Sequence, residues 1–144
     1  MAEQKIDTGT HELLCEIRER VATITLNRPD ARNALSDILT PALRTMIQKM
    51  GSAKDVGAII ITGSGNAFCA GGDVKSMGRS TPRVEQNPDE KVSLLKARQR
   101  TLTGALTKVR KPTIASLPGP AAGAGLAIAL ACDIRIASES AFVS

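Results

Sequence analysis

Aromatic side chains are almost missing from this chain, whose 144 residues include no Trp, no Tyr and only two Phe. The hydrophobic core must therefore be aliphatic, with small residues that let strands and helices pack closely. A protein that binds nucleic acid by stacking bases on aromatic rings is disfavoured, because almost no ring is available.

Cysteine and histidine, which bind metal ions and activate catalytic nucleophiles, are also scarce. The three cysteines, Cys15, Cys69 and Cys132, are far apart, odd in number and form no CxxC pair. This pattern is typical of buried thiols in a reducing compartment. The single histidine, His11, stands at no zinc-site spacing from them, and we expect it to lie exposed near the N-terminus. We therefore predict no metal site, and a histidine-dependent catalytic triad is disfavoured.

Signals for secretion and membrane insertion are not found. No basic segment followed by an apolar one comes after Met1, so no secretory signal is expected. The longest apolar run, residues 121–132, is too short to cross a bilayer. These observations predict a cytoplasmic protein that does not bind membranes.

The residues that are present are typical of a folded globular chain. Apolar residues make up 42% and charged residues 23%, with a formal net charge of +5. That balance is unlike the low hydrophobicity and high charge of disordered segments. The length argues for one domain over residues 1–144.

Hydrophobic patterning predicts strands alternating with helices. Two β-prone runs at 13–17 and 21–26 predict an antiparallel hairpin after a loose N-terminus. Further strands are predicted at 56–62, buried on both faces, at 113–117 and at 133–137. Ser36 is expected to cap a helix that ends near residue 50, other helices are predicted at 90–109 and 123–132, and a mobile loop is predicted at 76–89. The alternation favours an α/β fold with a largely parallel sheet.

Two predicted strands run directly into turns rich in glycine and alanine, at residues 62–74 and 117–126. Two unpaired N–H groups at such turns, converging on one carbonyl oxygen, form an oxyanion hole. Phosphate loops do not fit, because Gly125 is followed by Leu126 rather than Lys. Phe68 and Ile128 stand where a dinucleotide fingerprint needs a glycine or alanine.

These turns carry a resemblance to a known family. The segment NAFCAGGDV (66–74) resembles the first signature of the crotonase (enoyl-CoA hydratase/isomerase) superfamily. The segment KPTIASLPGPAAGAGLAIALACDIRIA (111–137) resembles its second signature, and VATITLNRP (21–29) with NAL (33–35) resembles its opening strand and turn. The resemblance implies a spiral of ββα units that binds an acyl-CoA thioester, with coenzyme A as part of the substrate and no other cofactor.

The resemblance also implies roles for particular residues. The backbone N–H groups of Gly72 and Ala124 are expected to form an oxyanion hole that stabilises a thioester enolate. The CoA thioester is expected to bind against a set of neighbouring residues, namely Ala70, Gly72, Asp73, Val74, Lys75, Arg28 and Gly123. From the residues alone, Asp73 is expected to accept backbone N–H groups of its own turn.

One position departs from the hydratase pattern. Ala127 occupies the place of a catalytic Glu, and alanine cannot move a proton. The family's second acid lies just beyond Ser144, and its members are longer. The chain is therefore expected to be the N-terminal portion of a single acyl-CoA-binding domain, a homotrimer or hexamer at full length, and nearly inactive alone. Isomerase-type chemistry is ranked slightly above enoyl-CoA hydration, which stays open.

A basic stretch gives an alternative from another class of protein. Residues 91–111 hold seven positive side chains and no acid. Such a run is most often the solvated face of a helix, but it also suits the phosphates of CoA, or a non-catalytic nucleic-acid-binding domain. Salt-dependent retention on nucleic acid favours the last alternative, and tight binding of a CoA thioester argues against it. We expect no nucleic-acid partner.

Overall fold

A computed structural model describes residues 3–75 and 87–144, which form one six-stranded sheet with helices on one face. The strands follow chain order across the sheet: β1 (Gln4–Ile6), β2 (Leu13–Arg18), β3 (Val21–Leu26), β4 (Ala58–Gly63), β5 (Thr113–Leu117) and β6 (Ile134–Ala137). The pairings from β1 to β3 are antiparallel, and those from β3 to β6 are parallel. The predicted hairpin and the largely parallel sheet are confirmed.

Helices connect the parallel strands: α1 (Leu39–Ser52), α2 (Pro88–Lys108) and α3 (Ala124–Ala131). Ser36 caps α1 as predicted, since its Oγ accepts the Leu39 N–H at 2.9 Å. Lys111 belongs to the predicted basic face, yet its Nζ donates to Met50 O at 2.9 Å and to Ala53 O. It therefore satisfies carbonyls at the end of α1 instead of standing free in solvent. No helix among the described residues has the length and apolar character needed to cross a membrane.

The core lies between the sheet and the helices, and it is aliphatic apart from the fully buried Phe68. Alternate residues of β3, β4 and β5 point into it, among them Ile24, Ile61 and Ala115, each fully buried. Buried and half-buried residues alternate along these strands, because successive side chains of a strand point to opposite faces. The two glycine turns follow the carboxyl ends of β4 and β5, which lie side by side, and this neighbourhood builds the candidate site.

Four sequence expectations were wrong in detail. The N-terminus is not loose, because Gln4–Ile6 pairs with β2 as a three-residue edge strand. The strand β4 is buried on one face only, since Ile60 on its other face is half-buried. The helix predicted at 90–109 carries apolar residues at roughly helical spacing, which indicates a buried stripe, but Val92 and Leu95 near its start are exposed in α2. The predicted loop 76–89 overlaps α2, which already begins at Pro88, and its residues 76–86 lie outside the described residues.

The outer face of the sheet carries no helix within the described residues. Backbone register places Thr23, Ile60, Ile114 and Ile134 in one row across four adjacent strands. The row becomes most exposed at the edge strand β6, where Ile134 is 51% and Ile136 is 60% exposed. An apolar edge strand with unpaired backbone groups is a ready template for association.

We expect the 144-residue chain to associate in solution through this edge. Light scattering should detect species heavier than the 15.1 kDa monomer. Replacing Ile134 and Ile136 together by Lys should shift the population toward monomer, because charge on an edge strand opposes pairing. The matched pair Thr45→Lys with Gln48→Lys, on the exposed side of α1, should leave association unchanged. A compact wild-type monomer at all concentrations would contradict the prediction.

Candidate active site

The two glycine turns are hydrogen-bonded to each other. Phe68 N–H donates to Pro120 O at 3.0 Å, and Ala122 N–H donates to Cys69 O at 3.0 Å. Glycines make this contact possible, since a Cβ on Gly119 would lie 1.8 Å from Asn66 O and one on Gly125 would lie 2.2 Å from Cys69 O. Both distances are far below van der Waals contact, so the turns can pack this closely only because side chains are missing there.

The Gly72 N–H, predicted to be the first donor, points away from the body of the turn. The carbonyl of the same peptide unit, Gly71 O, accepts the Leu35 N–H at 2.7 Å. Because a trans peptide directs its N–H opposite to its C=O, the Gly72 N–H faces the other side. Within residues 3–75 and 87–144 it donates no hydrogen bond.

The Ala124 N–H, predicted to be the second donor, stands at the start of α3. Gly123 O accepts the Ala127 N–H at 3.1 Å, so the trans peptide from Gly123 to Ala124 directs its N–H out of the N-terminal end of the helix. The described part of the chain offers this N–H no hydrogen-bond acceptor. The helix dipole adds positive potential at the same end.

Each candidate donor follows a glycine with a left-handed backbone. Gly71 has φ of +96° and Gly123 has φ of +53°, a region that disfavours side chains. A Cβ on Gly71 would lie 3.6 Å from Ala124 N, so the peptide that carries the Gly72 N–H lies close to the peptide that carries the Ala124 N–H. The role of Gly71 was missed in the sequence, although a glycine directly before the candidate donor was the available signal.

Some of the remaining predicted site residues are exposed to solvent, and others contact each other within the chain. Ala70, Gly72, Val74, Lys75 and Gly123 are exposed around the mouth of the two turns. By contrast, the Arg28 guanidinium contacts Asp73 Oδ2 at 3.1 Å, and Asp73 Oδ1 accepts the Lys75 N–H at 3.1 Å. The Asp73 side chain thus accepts a backbone N–H of its own turn, as the residue pattern indicated. Substrate contacts of this set stay a prediction.

The cysteines give no nucleophile to this site. All three are buried, and burial raises the pKa of Cys69 from 9.0 to about 11, against a smaller lowering by a backbone hydrogen bond from Gly71. Burial likewise raises the pKa of Cys15 and of Cys132 to about 11. A neutral thiol is neither a strong nucleophile nor a metal ligand.

We expect these thiols to react slowly with Ellman's reagent at pH 8. A pKa two units higher leaves about a hundredfold less thiolate, and only the thiolate attacks the reagent. The same chain in denaturant, where the thiols regain ordinary pKa values, is the control. Reaction of the folded chain at the unfolded rate would show that the cysteines are accessible and ionised.

The last residues of the chain border the second turn. Ala121 N–H donates to Phe142 O, Ser144 N–H to Ala121 O and Gly123 N–H to Ser144 O, at 3.0 to 3.1 Å. Ser144 is therefore one hydrogen bond away from the glycine that precedes the candidate donor Ala124. Ala127 lies one turn into α3 and is half-buried, and its methyl group cannot transfer a proton.

The fold and these turns define an α/β protein with outward backbone N–H groups at the ends of two neighbouring parallel strands. The sequence model of a family described as enoyl-CoA hydratase/isomerase matches residues 16–144. The chain therefore belongs to the enoyl-CoA hydratase/isomerase family, and its fold is the crotonase fold.

Individual relatives agree. The chain is 44% identical over 129 residues to a probable mitochondrial enoyl-CoA hydratase of Dictyostelium discoideum, covering 88% of this chain and 42% of that protein. It is 40% identical over 131 residues to the probable enoyl-CoA hydratase echA14 of Mycobacterium tuberculosis, covering 90% and 48%. A crystal structure of a putative enoyl-CoA hydratase from Streptomyces coelicolor superposes with a TM-score of 0.79 at 34% identity, covering 92% of this chain and 47% of that one. The chain thus spans about half the length of these relatives.

Proposed function

We propose that this protein binds an acyl-CoA thioester, with its carbonyl oxygen held by the N–H groups of Gly72 and Ala124. The carrying observation is the pair of unpaired donors, each preceded by a glycine with positive φ, at adjoining turns. When the α-carbon loses a proton, charge moves onto the thioester oxygen. Two preorganised donors then stabilise the enolate more than the ground state. Coenzyme A belongs to the substrate, and the proposed chemistry needs no further cofactor.

The proton-transferring group is proposed to come from chain that follows Ser144 in a longer protein. The Asp73 carboxylate is held by Arg28 and by the Lys75 N–H, so it is poorly placed as a base. Ser144, in contrast, borders Gly123, and residues joined to it would lie beside the oxyanion hole. We accordingly expect the 144-residue chain alone to show little or no turnover.

The reaction type is proposed from Ala127. An isomerase needs one acid/base to carry a proton between two carbons, whereas water addition by two carboxylates needs a second one that Ala127 does not supply. Double-bond isomerisation is therefore ranked slightly above hydration. Hydration is the second candidate, and the names of the relatives, which are mostly enoyl-CoA hydratases, favour it.

A conjugated thioester tests the binding proposal directly. A 2,4-dienoyl-CoA should show a red-shifted absorption band when its carbonyl is polarised by two N–H donors, and unesterified CoA is the control ligand. A band that does not move at saturating protein would contradict the proposal. In protein continued to the length of the relatives, assays with a 2-enoyl-CoA and a 3-enoyl-CoA decide between hydration and isomerisation. Water addition at about 10–1,000 per second would refute the isomerase ranking.

A further inference from the structure

Arg28 lies between the end of β3 and the first glycine turn, and each of its three guanidinium nitrogens has a polar partner. Its Nη1 donates to Ala34 O at 2.6 Å, its Nη2 to Asp73 Oδ2 at 3.1 Å, and its Nε lies 3.5 Å from a Glu12 carboxylate oxygen. Only 20% of the Arg28 side chain is exposed. A guanidinium whose three nitrogens contact three different groups is restrained in its orientation, and its rigid planar shape lets it join those groups at once.

Asp73 directly follows the candidate donor Gly72, and its side chain is only 14% exposed. Its backbone is held too, since the Asp73 N–H donates to Leu35 O at 3.1 Å. On the other side of Gly72, Gly71 O accepts the Leu35 N–H at 2.7 Å. The two backbone hydrogen bonds of Leu35 therefore hold the chain on both sides of Gly72, and this pair of bonds is called the Leu35 bracket. The Arg28–Asp73 ion pair holds the side chain of Asp73 next to it.

The residues on either side of Leu35 are themselves held by side-chain hydrogen bonds. Asn33 is fully buried with φ of +56°, and its amide donates to Ser64 O and Ala67 O, each at 2.9 Å. Glu12 accepts from Ser36 Oγ, the group that caps α1. The network thus runs from the start of α1 through Glu12 and Arg28 to Asp73 beside the oxyanion turn.

We propose that Arg28 and Asp73 are a positioning pair that fixes the Gly71–Gly72 peptide and so the direction of the Gly72 N–H. The inference rests on the proposed function for what the N–H binds. The contacts of the Arg28–Asp73 pair do not depend on which ligand binds. Breaking a partly buried ion pair leaves the remaining charge without its partner, so the turn must rearrange to rehydrate it. A donor displaced by about 1 Å no longer meets the thioester oxygen well.

Amide exchange tests the pair without reference to any ligand. In Arg28→Met, exchange at the Leu35 and Asp73 N–H groups, followed by NMR, should become about tenfold faster or more, because the bracket opens locally. Asp73→Asn keeps the size of the side chain and should act in the same direction, and the double variant should add little to either single one. Arg28→Lys should restore part of the protection.

The control is Arg98→Met, which removes an ion pair with Asp37 whose side chains are 62% and 57% exposed. Exposed pairs contribute little, so exchange at Leu35 and Asp73 should stay at the wild-type rate in this variant. Unchanged exchange in both Arg28→Met and Asp73→Asn would overturn the positioning pair.

A second readout separates this inference from the proposed function. With 2,4-dienoyl-CoA at saturation, Arg28→Met should reduce the red shift of the bound ligand, and Arg28→Lys should recover most of it. A full red shift in Arg28→Met would overturn the pair, because a correctly aimed Gly72 N–H would not need Arg28. If the wild-type chain gives no shift at all, the proposed function fails, and the exchange rates still decide whether the pair positions the turn.

Discussion

Gly125→Ala should destabilise the protein by about 3 kcal/mol or more, an overpacking cost at the upper end of the usual range. The new Cβ would lie 2.2 Å from Cys69 O and 2.7 Å from Cys69 Cβ. The opposing atoms include backbone, so no side-chain rotation relieves the clash, and the two turns must move apart. The gain in helix propensity, about 1 kcal/mol at most, does not offset this. Guanidinium unfolding followed by circular dichroism gives the change.

Gly104→Ala is the matched control, because it makes the same chemical change in another helix. Gly104 lies inside α2, and a Cβ there would meet nothing within 4 Å. This variant should be more stable than wild type by up to about 1 kcal/mol, since alanine loses less backbone entropy in a helix. Equal effects of the two substitutions would show that position 125 needs no glycine, and that the turns do not pack as closely as the structure indicates.

Much of the fold could be predicted because burial leaves a periodic trace in the sequence. The two β-prone runs at 13–17 and 21–26 indicated the hairpin, and Ser36 marked the start of α1. The strand Gln4–Ile6 carries no such trace, because a three-residue, mostly exposed edge strand is held by ladder hydrogen bonds rather than by apolar contacts.

The prediction that β4 is buried on both faces was wrong because apolar residues do not by themselves prove burial. Ile59, Ile60 and Ile61 form a continuous apolar run, which indicates burial on both faces. The sequence reports what a strand can bury. It does not report whether the described chain supplies a layer on each side, and here Ile60 faces the side without a helix.

The positioning residues could not be predicted from local patterns. Arg28 and Asp73 are 45 positions apart, and Asn33 reaches Ala67 across 34 positions. Polar contacts of this kind repeat with no period, so only the folded geometry shows them. The glycines of the candidate site were different, because Gly71, Gly123 and Gly125 stand in the glycine-rich turns that the sequence singled out, although the role of Gly71 itself was not predicted.

Under the proposed function, Gly72→Pro should lower turnover of an acyl-CoA substrate by a factor of about 10²–10³, the usual result of removing one oxyanion-hole donor. Proline keeps the chain length and deletes the N–H that the turn directs outward. Because the 144-residue chain is expected to be nearly inactive, turnover is measured in protein continued past Ser144 to the length of the relatives.

Gly72→Ala is the control for this last substitution, because it adds a side chain at an exposed position and keeps the N–H. It should retain most of the turnover, whereas Gly72→Pro should lose it mainly in kcat, since the donor acts most strongly on the developing enolate charge. Unfolding midpoints of both variants show whether the proline ring merely disrupts the turn. If Gly72→Pro folds and keeps wild-type turnover, the Gly72 N–H is not the donor, and the oxyanion hole has to be sought at another backbone N–H of the same two turns.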